Sequence, residues 1–277
     1  MAGELELRQT FFDTDKDFDQ LVELQNEVYK NEGRHFSQDR FKHWYIENPF
    51  GRAISFNAYD GKKMVAHYVC IPKKMLIERR VVNGILSMAT VTHPNYRGRG
   101  LFKTLAKMTY DYARDNGYEF VIGVANANSF HGFMKYFPFQ FVAQLEFKVG
   151  YGQHVAVDGD KTFYGYWDED AIRWRNKTGY TANRDTIIGN YGKYARTLMG
   201  CFDGKTLSGI TLRKVGFSLK PMLYIGLGGK PQGAFVKMPK FVKHSPFNLI
   251  FMDLTGGKLP KMNKDNVFFQ LFDFDVV

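Results

Sequence analysis

Hydrophobic and polar positions alternate from Leu5 to Phe12, which predicts a first strand. From Asp17 to Tyr29 the period becomes helical, with Phe18, Leu21, Val22, Leu24, Gln25 and Val28 on one stripe. Ser37 is a good N-cap for a second helix through Glu47, stopped by the Pro49–Gly51 segment. Two strands follow, Ile54 to Tyr59 and Met64 to Ile71, joined by the hairpin signal Asp60-Gly61. Ile85 to Thr92 is an apolar, β-branched run, and from Leu101 to Arg114 a helical pattern places Leu101, Leu105, Met108 and Tyr112 on one face. Asn116-Gly117 ends that helix, Glu119 to Val124 reads as a strand covered on both faces, Asn126 to Tyr136 as a short helix, and Phe137 to Val149 as a turn into another strand.

The remainder is punctuated by glycine. A helix is predicted from Trp167-Asp168 to Arg175. Strands are predicted at Ala195 to Phe202, Lys205 to Lys214, Leu223 to Leu227, Ala234 to Met238, Leu249 to Leu254 and Val267 to Phe274. Gly150, Gly152 and the Asp158-Gly159-Asp160 turn suggest a division into 1–150 and 151–277. A weak internal repeat crosses that division. Phe41-Lys42-His43-Trp44 precedes Tyr59-Asp60-Gly61-Lys62 as Ala171-Ile172-Arg173-Trp174 precedes Phe202-Asp203-Gly204-Lys205. Coincidence is the alternative, because Asp-Gly-Lys is a favourable turn anywhere.

The chain is organised around Val91-Thr92-His93-Pro94-Asn95-Tyr96-Arg97-Gly98-Arg99-Gly100-Leu101-Phe102, a strand, a tight loop and a helix start. The first turn of a helix leaves backbone N–H groups without partners, and its dipole favours anions. Glycines admit an anion close to the backbone, and two guanidiniums add charge-assisted contacts. No Gly-Lys-Ser/Thr follows, which excludes a nucleoside-triphosphatase P-loop, and a dinucleotide fold fits poorly because the third glycine is missing. Pro94-Asn95-Tyr96-Arg97-Gly98-Arg99-Gly100 resembles the pyrophosphate loop of the GNAT superfamily of acyl-CoA-dependent N-acyltransferases, with Asn95 in the Gln/Arg position, which varies in that family. The element order through Gly150 resembles that family too, as does Lys135-Tyr136-Phe137-Pro138-Phe139 after Asn126.

The resemblance implies an α/β fold with a mixed, splayed central sheet flanked by helices, followed by a smaller α+β unit that reads as a degenerate GNAT-like half. It implies coenzyme contacts at Thr90, Val91, Thr92, Arg97, Gly98, Arg99, Gly100, Leu101, Phe102, Asn126 and Asn128, with an oxyanion donor near Val91 or Thr92. The cosubstrate would be acyl-CoA, either acetyl-CoA or a short 3-hydroxyacyl-CoA, with no permanently bound cofactor. The family's tyrosine acid is replaced by Met134, with Tyr136 two residues on, and Ser87, Met88 and Thr90 stand where a glutamate base sometimes lies. His67 and Asn126 are the candidate catalytic side chains. A helix cap is the alternative for Asn126, and a mechanism driven by positioning, without a protein base, is the alternative to His67.

Composition narrows the partners. The net charge of +10 favours anions, yet the basic residues form no block, which disfavours nucleic acid. Cys70 and Cys201 lie far apart among apolar residues and read as buried thiols in a reducing compartment, with no metal site. His43 and His154 read as incidental. Neither a signal peptide nor a membrane span is visible, so a cytoplasmic protein is expected, as a monomer or homodimer. Sixteen tyrosines, the segment Trp44, Tyr45, Asn48, Pro49, Gly51 and the added unit resemble bacterial acyltransferases of dTDP- or UDP-linked amino sugars for surface polysaccharide. Trp44, Tyr45, Asn48 and Ser87 are accordingly the expected acceptor contacts. The alternatives are another amine acceptor (an aminoglycoside, a peptide or a lysine) and a non-catalytic module that binds nucleic acid or coenzyme.

Overall fold

The computed structural model describes residues 4–32, 36–176, 181–183, 186–191, 195–200, 221–238 and 245–274. The predicted strand Lys205 to Lys214, the Asp203-Gly204-Lys205 turn and Cys201 lie outside the described residues. The first half runs β1 (Glu6–Gln9), α1 (Asp15–Val28), α2 (Gln38–Tyr45), β2 (Ile54–Asp60), β3 (Lys63–Ile77), β4 (Arg80–Thr92), α3 (Leu101–Asp115), β5 (Phe120–Ala125), α4 (Ala127–Tyr136), β6 (Gln140–Gln144) and β7 (Glu146–Val157). Then come β8 (Phe163–Gly165), α5 (Glu169–Asn176), β9 (Thr181–Asn183), β10 (Thr186–Tyr191), β11 (Ala195–Gly200), β12 (Met222–Leu227), β13 (Gly229–Lys237), β14 (Asn248–Asp253) and β15 (Val267–Gln270). The architecture is α/β, a large mixed sheet flanked by helices.

Local chemistry explains the helix positions. Thr14 caps α1, its hydroxyl taking the Asp17 N–H while Asp17 returns a bond to the Thr14 N–H. Ser37 precedes α2 but makes no side-chain cap bond. On α3 the buried face is Leu101, Leu105, Ala106, Thr109, Tyr110 and Ala113. It is rotated from the predicted stripe, leaving Met108 and Tyr112 at its margin, because the small residues Ala106, Thr109 and Ala113 let the helix lie close on the sheet.

The two halves are wound alike and interlock. In the first, β4 pairs antiparallel with β3 and parallel with β5, β14 pairs antiparallel with β5, and β6 with β14. In the second, β11 pairs antiparallel with β10 and parallel with β12, β7 pairs antiparallel with β12, and β13 with β7. Each half therefore takes one strand from the other at the same place in its sheet. The expected division at residue 150 does not coincide with a break: it falls inside β7, and β14, from beyond it, lies between β5 and β6. The helices of the suspected repeat meet as well, with Trp44 and Trp174 edge to face at 4.9 Å and the Trp174 Nε1–H donating to the His43 carbonyl at 2.9 Å.

Candidate active site

β4 and β5 are hydrogen-bonded only from Gly84–Phe120 to Ser87–Gly123. At that point β4 carries a bulge: Val69 faces Ala89 and Cys70 faces Ser87, so Met88 has no partner on β3. An extra residue bends and twists its strand. Beyond the bulge β4 leaves β5, while β5 continues against β14 as far as Ala125, whose carbonyl takes a bond from Asn248 Nδ2 at 3.1 Å. The gap so formed is a cavity of about 640 Å³.

The strand amides in this gap can be assigned. His93 N–H donates to Val65 O at 2.9 Å. Amides alternate sides along an antiparallel ladder, so Val91 points back to His67, and Thr90 and Thr92 turn theirs toward the gap. Of the strand positions around Val91 and Thr92, where an oxyanion donor is expected, Thr90 and Thr92 are the ones whose amides face the gap.

At the outer end the loop turns through Gly98 and Gly100 with φ of +77° and +75°, a left-handed conformation that favours glycine. Gly100 is the N-cap of α3, and Thr104 N–H is the first to reach a carbonyl, that of Gly100 at 3.1 Å. Among the described residues, the Leu101, Phe102 and Lys103 amides thus project from the helix end without a backbone acceptor. Arg97 Nε donates to Thr92 O at 3.2 Å, and the Arg99 guanidinium lies 4.9 Å from the Tyr96 ring, whose hydroxyl donates to Asp60 at 2.6 Å. The loop is exposed and ends in a cluster of donors, an arrangement suited to a diphosphate.

Of the residues singled out in the sequence, Ser87, Thr90, Val91, Thr92, Phe102, Asn126 and Asn128 line the cavity. Arg97, Gly98, Arg99 and Gly100 form the loop beside it, and Leu101 is buried under α3. Asn126 Oδ1 takes the N–H groups of Asn128 and Ser129 at 3.0 and 2.9 Å, so this atom is a helix cap. Ser87 Oγ is held 2.8 Å from the Tyr68 hydroxyl, which also bonds Tyr110; burial keeps both tyrosines well above their usual range and hence protonated.

Four expectations are corrected. His67 is 1% exposed and does not reach the cavity. Its Nδ1 lies 2.8 Å from Asn57 Oδ1 and its Nε2 3.0 Å from the Tyr45 hydroxyl, so both ring nitrogens are engaged. Burial lowers its pKa to about 3. It is a neutral core residue and not a base for a substrate in the gap. Tyr45 is spent on that bond. Trp44 is buried against Trp174, with the Arg175 guanidinium 4.8 Å from its ring. Asn48 closes a turn, Nδ2 donating to Pro72 O and Oδ1 accepting from Phe50 N–H. None of these four lines the cavity.

His67 has a measurable consequence. Below pH 6.5 the unfolded ring takes a proton that the folded ring refuses until about pH 3, so stability falls as the pH drops through that interval. The limiting slope is about tenfold in the folding equilibrium per pH unit. Urea midpoints at pH 7 and pH 4.5 are expected to draw together in His67→Gln relative to the parent; an unchanged difference would refute the assignment.

Sequence reading missed Gln25, Tyr29 and Phe36 on one wall and Ser245 and Phe247 on another. Gln25 carried a signal, a carboxamide within the apolar stripe of α1. Ser245 and Phe247 carried none, because they reach the gap only through the insertion of β14. Burial raises the Cys70 thiol to about 12, which makes it inert. Among the described residues, no group of three or more His, Cys, Asp or Glu could hold a metal ion, and no helix is long and apolar enough to cross a membrane.

Residues 13–138 match a family model described as an acetyltransferase (GNAT) domain. A crystal structure from Enterococcus faecalis V583, described as a probable N-acyltransferase, superposes with a TM-score of 0.59 at 7% identity, covering 91% of this chain and 73% of that one. A GCN5-related N-acetyltransferase from Kribbella flavida gives a TM-score of 0.55 at 11% identity, with the same two coverages. At such identities the likeness is one of fold, and it spans both halves. No curated protein matches the sequence. The GNAT acetyltransferase domain is thus what residues 13–138, somewhat under half of the chain, are similar to.

Proposed function

We propose that the protein moves an acyl group from acyl-CoA to the amine of a hydroxylated acceptor, a dTDP- or UDP-linked amino deoxysugar, by direct attack within a ternary complex. The observation that carries this reading is the splayed β4–β5 gap, opening on the cavity beside the free amides of α3. The diphosphate of the coenzyme rests on the Leu101–Lys103 amides and on Arg97 and Arg99. Its pantetheine arm enters between Thr90–Thr92 and Asn126, and the thioester carbonyl meets the Thr90 or Thr92 amide. One such oxyanion donor is worth about 3 kcal/mol, and holding amine and thioester in attack geometry about 7–11 kcal/mol. The amine attacks the carbonyl carbon, the tetrahedral adduct expels the thiolate, and the proton lost by the amine passes through water to that thiolate.

The acceptor end supports a sugar. Gln25, Tyr29 and Ser245 offer neutral hydrogen-bonding groups, and Phe36 and Phe247 offer apolar faces. A polycationic aminoglycoside would call for carboxylates, and the described lining residues include none. Free-thiol release from acetyl-CoA and longer acyl-CoAs, against a panel of amines with dTDP- and UDP-amino sugars among them, tests the reading. Turnover with a simple amine or an aminoglycoside but not with any amino sugar would overturn it.

One acyl-CoA is expected per chain. In the second half the matching gap is filled: among the described residues β12 pairs with β11 only at Met222 and Leu223, and along the same edge, at Gly226 and Leu227, it takes β15. Calorimetric titration with acetyl-CoA should give a stoichiometry of one, and two sites would contradict the filled gap.

A further inference from the structure

Gln25 is 2% exposed, and it is one of the few polar side chains so deeply buried in the structure. Its neighbours on the inward face of α1 are Phe18, Leu21 and Leu24, all in the core. Its carbonyl oxygen of the main chain takes Tyr29 N–H in the ordinary way. Of its polar groups only the main-chain carbonyl is bonded to a described residue in this way, and the side chain lines the cavity. Its polar atoms are not among the buried ones left without a partner, so they open onto the cavity, where a leucine on the same stripe would have offered no hydrogen bond at all. Such a group is kept where something else completes its bonds.

The position narrows what that is. Tyr29, one helical turn further on the same face, lines the same cavity, and Ser245 lines it from the other half of the chain. Thr90 and Thr92, whose amides turn into the gap, line the same cavity. A carboxamide presents a donor and an acceptor side by side, so it matches a group that does both, a hydroxyl or an amide. A carboxylate or an ammonium would use only half of it.

We infer that Gln25 is a specificity-determining residue for the acceptor: its carboxamide hydrogen-bonds a hydroxyl or amide that flanks the reacting amine, and so fixes the amine against the Thr90–Thr92 amides. This rests on the acyltransferase reading above and adds to it the residue that selects the acceptor. An acceptor without such a flanking group gains nothing from Gln25, and a site whose buried polar group is left unpaired rejects it.

Gln25→Met tests this, because methionine is apolar and of similar volume. Three measurements are expected to move differently. The melting temperature should stay or rise, since no bond within the fold is lost. The Kd for acetyl-CoA should be unchanged. The kcat/KM for a dTDP-linked amino sugar should fall about 10- to 100-fold, chiefly through KM, while that for a simple alkylamine should hold. A melting temperature lower by several degrees would show that the carboxamide serves the fold, and equal losses for both amines would show that it does not read the acceptor; either result overturns the inference. If the parent protein binds acetyl-CoA but acylates no amine, the acyltransferase reading itself fails and this one with it.

Discussion

Gly100→Val is expected to weaken acetyl-CoA binding about a hundredfold while the protein stays folded. Gly98 and Gly100 both adopt positive φ, and a Cβ built on either meets no atom within 4 Å. Crowding within the fold is therefore not the reason for glycine at these positions. Two things oppose a side chain. The left-handed backbone costs an L-residue about 1–2 kcal/mol, a modest fraction of a domain's stability. The open space around each Cβ is where the diphosphate must come to reach the Leu101–Lys103 amides. Losing one or two charge-assisted bonds there removes about 3 kcal/mol, or about a hundredfold in Kd. Gly100→Ala carries the same kind of backbone strain with less bulk, so a much smaller loss in that variant separates obstruction from strain. Calorimetry measures the binding and circular dichroism the fold. Unchanged Kd in both Gly98→Val and Gly100→Val would remove the loop from the site, and with it the coenzyme geometry proposed for the gap.

This loop is also the part of the molecule most legible in the sequence, and the reason is locality. Glycines that need positive φ, an N-terminus at Leu101 and a preceding β-branched strand are all encoded within a dozen residues. The same holds for the order of elements up to β6 and for the Asn126 cap, whereas the single strand expected to run to Val149 divides at Leu145 into β6 and β7. Signals failed where partners come from far away. Nothing in the Leu249–Leu254 run says that it enters the sheet between β5 and β6, so the Ser245–Phe247 wall could not be anticipated. Trp44, Tyr45 and Asn48 look like a recognition motif, yet they face Trp174, His67 and Pro72, and each is consumed by packing or by a turn. In the sequence His67 offers only its chemistry, that of a base. Its burial, set by Phe12 and Tyr45, decided the question against a catalytic role. Gln25 shows the converse. A polar residue on an apolar stripe is a mismatch visible in the sequence, and such mismatches are where function is to be looked for.

The interlocking of the halves leads to the largest effect expected on stability, at Lys73. This residue lies on β3, 4% exposed, and its Nζ is 3.1 Å from Asp273 Oδ1, 200 positions along the chain. The same carboxylate oxygen accepts the Trp167 Nε1–H at 3.0 Å, and its second oxygen accepts Gln270 N–H at 3.0 Å. The ammonium also sits 4.4 Å from the centre of the Trp167 ring. Burial pushes the Lys73 pKa down and the facing carboxylate opposes that, so the pair holds together only while both charges are present. Lys73→Met leaves the Asp273 carboxylate, at 2% exposure, without the ammonium it faces, and breaking a buried pair in this way costs about 3–5 kcal/mol. Adding Asp273→Asn removes the stranded charge and leaves one amide oxygen, enough for Trp167 Nε1–H or Gln270 N–H but not for both, so the double variant should recover part of the loss. Urea denaturation of the parent, the two single variants and the double variant measures all four corners of the cycle. The recovery is the informative part. A buried pair whose role is to join β3 to the chain's last segment predicts strong coupling between the two positions, and additive losses would mean that Lys73 and Asp273 stabilise the fold separately. Acetyl-CoA binding below the unfolding midpoint should survive in every corner, because neither residue lines the cavity between β4 and β5.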